Sequence, residues 1–183
     1  MATPGQAPAS VPGRELRDVM GDFATGVSIV TTRSGDGKPL GFTANAVTSV
    51  SLDPPLVLVC IGKERTVHDE LIAADFFALN IMGHEQEPLA KRFASSAIED
   101  RFDGISWLDG RFGSPVLAGA LGGLECQVDQ TFEGGDHSIV LGRVCATWRD
   151  AGAPLLFFRG AFRHLAALDA TEIWHSKHEW IFW

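Results

Sequence analysis

Gly41-Phe42-Thr43-Ala44-Asn45-Ala46-Val47-Thr48-Ser49-Val50-Ser51-Leu52-Asp53-Pro54-Pro55-Leu56-Val57-Leu58-Val59-Cys60 places strand-forming residues on both sides of an Asp-Pro-Pro break. The run from Leu56 to Ile61 is apolar without interruption, as in a strand buried on both faces. The run from Thr43 to Ser51 reads as one strand of hydroxyls, a carboxamide and small side chains. It is too polar for a core strand and too β-branched for a loop. Two readings stand. One is a solvent-facing edge strand; the other is a surface on which a flat polar ligand lies, using the Thr, Asn and Ser groups and the small Ala44 and Ala46.

Upstream, Leu16, Val19, Met20 and Phe23 recur at helical spacing and form one apolar face. Val27 to Thr32 is a β-branched strand, and Ser34 to Pro39 is a turn cluster. Together with the opening stretch this predicts a hairpin. Downstream, Thr66 with Asp69 has the form of a capping box for a helix over 67–74. Phe76 to Ile81 is a strand, and 84–94 a polar helix with Leu89, Ala90 and Phe93 facing inward. Residues 95–115 read as irregular. Leu124 to Phe132, Ser138 to Trp148 and Leu155 to Leu165 are three further strands, the first two joined by Glu133-Gly134-Gly135-Asp136-His137.

Six or seven strands with few intervening helices exclude a parallel βαβ winding and predict an antiparallel barrel with peripheral helices. At 183 residues the chain is one domain's length, with 45% apolar and 21% charged residues. We expect a tail over 1–13, a domain over 14–165 and an aromatic extension over 166–183. The net charge of −8 argues against a nucleic-acid partner, which would demand a concentrated basic face. Cys60, Cys126 and Cys145 lack the paired spacing of a zinc or redox site and read as buried thiols. The pair His175 and His178 has no nearby carboxylate or thiol to complete a metal set. No apolar run reaches the roughly 18 residues of a membrane span, and the N-terminus has no signal-peptide pattern, so a cytoplasmic protein is expected.

Within an acidic chain, Lys63, Arg65 and Thr66 before one helix and Lys91-Arg92-Phe93 near the end of another suggest a phosphate. A solvated turn and a complemented helix C-terminus are the bland alternatives. His137 in its Gly-rich turn is either a plain turn residue or an imidazole beside a ligand. No GxSxG, P-loop or GxGxxG pattern occurs.

Four blocks in order carry a resemblance. Phe23-Ala24-Thr25-Gly26-Val27, then Thr43-Ala44-Asn45-Ala46 with Ser49-Val50-Ser51-Leu52-Asp53-Pro54-Pro55, then Gly135-Asp136-His137 with Ile139 to Val144, and Pro154 to Gly160 resemble the short-chain flavin reductases. These are the reductase components of two-component flavin-dependent monooxygenases. The resemblance implies a split β-barrel of Greek-key-like antiparallel topology, usually homodimeric, that binds FMN or FAD. It implies hydride transfer from NADH or NADPH to the flavin, which is then released to a separate monooxygenase.

Carried over by position, Thr43, Ala44, Asn45, Ala46, Ser49, Val50 and Ser51 would lie along the flavin, with Cys60 and Ile61 flanking it. Lys63, Arg65 and Thr66 would meet phosphate, Lys91, Arg92 and Phe93 would close the far side, and His137 would sit at the nicotinamide. The family often has a Tyr where this chain has Phe162, and the chain has no tyrosine at all. A barrel that keeps its flavin as an electron carrier or sensor, and a cofactor-free barrel whose aromatic C-terminus docks a partner, are the alternative readings.

Overall fold

A computed structural model describes residues 10–165. Its centre is a seven-stranded antiparallel sheet in the order β3-β2-β6-β9-β10-β5-β4. The strands are β2 (Ser28–Arg33), β3 (Pro39–Ala44), β4 (Val47–Leu52), β5 (Pro55–Gly62), β6 (Phe76–Ile81), β9 (Gly122–Gly134) and β10 (His137–Arg149). The chain passes directly from β3 to β4, although these lie at opposite ends of that order. Asn45 and Ala46 span the gap, and the Cys60 N–H donates to the Ala46 carbonyl at 3.0 Å. The sheet therefore rolls up, and a two-residue link crosses its closing seam. This is the expected split barrel, mostly β and antiparallel.

The opening stretch is thus two strands rather than one. Its polar residues part at Asn45, and β4 is the edge strand of the ladder order. Asp53 and Pro54, joined by a cis peptide bond, form the turn that pairs Leu52 with Pro55. The hairpin of β2 and β3 forms as expected, with Ser28 opposite Ala44.

Two apolar clusters hold the fold. Alternate residues of β2 and the position before it serve both: Val30 joins Phe42, Val59, Ile61, Phe77 and Val140 inside the barrel, while Ile29 and, just ahead of the strand, Val27 join Met82, Ala90, Phe93 and Leu155 outside it. The strand is buried on both faces, which suits its β-branched run, and its buried Thr31 and Thr32 hydroxyls are hydrogen-bonded to backbone carbonyls. The outer cluster is covered by α3 (Glu87–Ala94), preceded by a 3-10 turn at His84–Gln86, so the 84–94 helix is present with a tighter first turn.

Polar groups inside are matched. The Asn80 side-chain amide donates to the Ile29 carbonyl (3.1 Å) and the Thr31 hydroxyl (3.0 Å), and its oxygen accepts the Leu117 N–H at 2.8 Å. That network fastens β8 (Pro115–Leu117), which pairs with β7 (Trp107–Asp109), to the barrel wall. A short hairpin therefore stands where irregular chain was expected. Glu125, buried on β9, accepts the N–H groups of Phe112 (2.9 Å) and Ser114 (3.1 Å) and holds the loop between β7 and β8.

Other expectations are corrected. The helix after β5, α2 (His68–Ala73), begins after Val67 with no side-chain cap, so Thr66 forms no capping box. The last strand-length run is a hairpin, β11 (Leu155–Phe158) with β12 (Ala161–His164). It turns at Arg159-Gly160, and β1 (Thr25–Gly26) flanks it. With β1, β7, β8 and β12, and with the opening stretch split into β3 and β4, the described residues form twelve strands where six or seven were expected. The amphipathic helix α1 (Gly13–Met20) forms, but Leu16, Val19 and Met20, with Phe23 beyond its end, are each more than half exposed. The cysteines are unpaired. Burial pushes the Cys126 thiol up to about 12, with the Cys145 and Glu125 charges adding to it. The extension at 166–183 lies outside the described residues.

Candidate functional site

Three contacts hold the expected residues: the Cys60 N–H to the Ala46 carbonyl ties the seam link to β5, the Lys63 N–H to the Asp136 carbonyl (3.0 Å) extends the β5–β10 pairing, and Arg65 Nη1 donates to the Ala94 carbonyl (3.4 Å) at the end of α3. Beside the seam lies a cavity of about 150 Å³ lined by Val27, Thr43, Asn45, Ala94, Phe157 and Phe162. Thr43 reaches it from β3, and its hydroxyl donates to the Ala90 carbonyl at 2.6 Å, which ties the strand to α3. Asn45, on the seam link, is exposed. Lys91 Nζ lies 5.9 Å from the centroid of the Phe162 ring and 2.6 Å from Glu87 Oε1, so a cation stands at the cavity's wall.

The lining suits a flat polar heteroaromatic group. Two phenylalanine rings supply apolar faces, and Thr43 and Asn45 supply polar edges. Thr25, opposite Phe157 in the ladder and two residues before Val27, has a buried hydroxyl with no hydrogen-bond partner among the described residues. An unpaired buried hydroxyl is costly unless something completes it. At about 150 Å³ the cavity is smaller than the roughly 300 Å³ at which ligand pockets begin. It can enclose only part of a flavin.

His137 opens β10 opposite Gly62, with its Nδ1 2.8 Å from Asp136 Oδ1 and nearly half of its side chain exposed. The imidazole pulls the Asp136 carboxyl below its usual range. Next to it, His68 Nε2 lies 2.9 Å from the Ser138 hydroxyl, and His68 Nδ1 lies 2.7 Å from Asp69 Oδ1. Lys63 pairs with Glu133 across the hairpin tip, and that ammonium holds the Glu133 carboxyl below its usual range.

Not every expected side chain faces this region. Ala44 and Ile61 point into the barrel core and Phe93 into the outer cluster, so at these positions only backbone is free to meet a ligand. The reason is the strand period: Thr43 and Asn45 share one face and Ala44 takes the other. Ser49 and Val50 are exposed on edge strand β4, with Ser51 half-buried. Cys60 is half-buried and faces away from the core, and Thr66 is exposed. Arg92 Nη2 donates to the Asp100 (3.1 Å) and Asp103 (2.7 Å) carbonyls, tying a loop to α3 rather than facing the cavity. Thr25, Val27 and Phe157 fall within two of the ordered sequence blocks but had no expected role, and Phe162, noted only as standing where the family often has a Tyr, lines the cavity. Ala94, His68 and Arg101 had no signal in the sequence. Among the described residues no group of His, Cys, Asp and Glu could hold a metal ion.

Comparison with known proteins gives concordant matches. Residues 20–166 match the family described as flavin reductase like domain. The NADH-dependent FAD reductase of Streptomyces globisporus is 45% identical over 163 residues, covering 86% of this chain and 88% of its own. The reductase component of the flavin-dependent trigonelline monooxygenase of Acinetobacter baylyi is 42% identical over 161 residues, 87% of this chain and 51% of that protein. The chain spans about half the length of two of the curated relatives it matches. Among solved structures, the NADH:FAD oxidoreductase of Streptomyces globisporus C-1027 in complex with NAD and FAD fragments superposes with a TM-score of 0.80. It has 43% identity, with 90% of this chain and 99% of that one covered.

Proposed function

The chain belongs to the flavin reductase like family, and from that premise we propose that it is an NADH-dependent flavin reductase that reduces FMN or FAD and supplies the reduced flavin to a flavin-dependent monooxygenase. The observation that carries the reading is the family match over 20–166, with three of the four sequence blocks contributing Val27, Thr43, Asn45 and Phe157 to the cavity beside the seam.

When both cofactors are bound, the nicotinamide supplies a hydride to the flavin ring, chemistry that is the cofactors' own. The protein's task is to hold two rings in register and keep water out. Phe157 and Phe162 face the ring system, and Thr43 and Asn45 meet its polar edge. Backbone N–H groups from Asn45 to Ser51 stabilise negative charge on the reduced ring. Lys91 and Arg65 meet the phosphate side. His137, at the mouth of the β9–β10 hairpin, orients the nicotinamide. No nucleophile or strong acid is needed.

The active unit in this reading is a homodimer of the 14–165 domain. The apolar face of α1 is uncovered, and a cavity of about 150 Å³ needs a second surface to enclose a flavin. No helix among the described residues is long and apolar enough to cross a membrane, and a cytoplasmic site of action suits a dissociable flavin product. The test is oxidation of NADH by the purified protein with FMN or FAD, beside sedimentation for the dimer. Absence of turnover with either flavin and either nicotinamide would overturn the assignment.

A further inference from the structure

A larger groove of about 460 Å³ is lined by residues of β3, β7 and the loop after α3, and the functional reading leaves it unused. Leu40, Phe102 and Trp107 give it an apolar lining, Lys38 and Arg101 stand on it, and Glu99, Asp100 and Asp103 border it. Its volume falls within the roughly 300–1,000 Å³ range of small-molecule sites. The aromatic lining is fixed: Phe102 packs edge-on against both Phe93 (5.0 Å) and Trp107 (5.7 Å), and Arg92 holds the loop carrying Asp100 and Asp103.

Cavity and groove are joined by two guanidinium groups. Arg65 donates to the Ala94 carbonyl, and Arg101 donates through Nε (3.1 Å) and Nη2 (2.8 Å) to the Ser95 carbonyl. Ala94 lines the cavity and Arg101 lines the groove. Adjacent carbonyls thus hold two cations side by side, and neither is ion-paired with a carboxylate among the described residues. Burial, with the Arg65 charge nearby, pulls Arg101 below the usual guanidinium value. A helix C-terminus presents only about half an elementary negative charge. Two guanidinium charges exceed what that terminus offsets, although Glu99, Asp100 and Asp103 also border the groove.

Resting on the reductase reading, we propose that this arginine pair and the groove bind the adenosine diphosphate half of a dinucleotide. The diphosphate lies on Arg65 and Arg101, and the adenine packs against the lining around Trp107. Guanidinium forks match phosphate oxygens in shape and charge, and aromatic walls suit a purine. The carboxylates at the rim accept ribose hydroxyls and repel a 2′-phosphate, so the groove favours FAD or NADH over FMN or NADPH.

The test titrates adenosine 5′-diphosphate into the whole wild-type protein, then into Arg101→Ala and Trp107→Leu. FAD and FMN affinities are measured alongside, and melting curves confirm that each variant folds. Wild type should bind the probe, and Arg101→Ala should weaken it at least about tenfold, as expected for loss of a charged hydrogen bond. The ratio of FAD to FMN affinity should fall in both variants if the groove takes the flavin's adenosine. If instead the probe competes with NADH during FMN reduction while that ratio stays fixed, the groove takes the nicotinamide cofactor's adenosine. No binding of the probe by wild type, or binding indifferent to both substitutions, overturns the proposal. Wild-type turnover with FMN tests the reductase reading separately.

Discussion

His68 Nε2 sits 2.9 Å from the Ser138 hydroxyl, joining α2 to the second residue of β10, one position from His137. The contact is half-buried and its loss frees the tip of the hairpin that presents His137. His68→Ala should raise KM for NADH several-fold with a smaller change in kcat. His68→Gln, which can still bond the hydroxyl, should restore much of the difference. Steady-state kinetics on both variants check this. An equal loss in both would mark the contact as structural only.

His137→Ala should slow flavin reduction by NADH at least about tenfold, by removing an orienting contact, while flavin affinity changes little. Stopped-flow reduction beside a flavin titration separates the two. Unchanged reduction kinetics would take His137 out of the mechanism.

Thr43→Val removes the 2.6 Å hydrogen bond to the Ala90 carbonyl and keeps the shape of the side chain. Stability should fall by about 1 kcal/mol, and flavin affinity should fall with it because Thr43 also lines the cavity. Urea unfolding of the apoprotein and a flavin titration read the two effects.

Glu125→Ala leaves the N–H groups of Phe112 and Ser114 without their acceptor in a buried place. The cost should be roughly 2–4 kcal/mol, with Glu125→Gln closer to wild type because its amide oxygen can accept. Thermal unfolding of both variants provides the comparison.

The pairing of Glu133 with Lys63 predicts a sign in pH. The folded pKa of Glu133 is lowered, so the stabilisation it gives is complete above the unfolded value and is lost as pH falls through the folded one. An NMR titration should place the Glu133 midpoint below the ordinary 4.5, and Lys63→Ala should return it there.

Much of this was legible because strand period and turn chemistry are local. Val27 to Thr32, Leu56 to Ile61 and Phe76 to Ile81 announce themselves by β-branched or apolar runs, and the Gly-rich turn before His137 marks its hairpin. Thr66 misled because a capping pattern says nothing about where α2 begins once Val67 is drawn into the core. The break at Asn45 was hidden for a different reason. Only closure of the sheet, a contact between distant edges, requires the chain to leave β3 there. Arg101 was invisible because its meaning depends on Arg65, which the fold brings to the neighbouring carbonyl from 36 positions away in the sequence.

The two-residue link at Asn45 and Ala46 bears on how the protein lives with its ligand. Its anchoring hydrogen bond, its ladders and both apolar clusters are complete from the polypeptide alone. These interactions run between polypeptide groups alone. In the reductase reading we propose, where the flavin leaves each cycle, independence of the frame from its cargo lets the same molecule serve turnover after turnover without refolding.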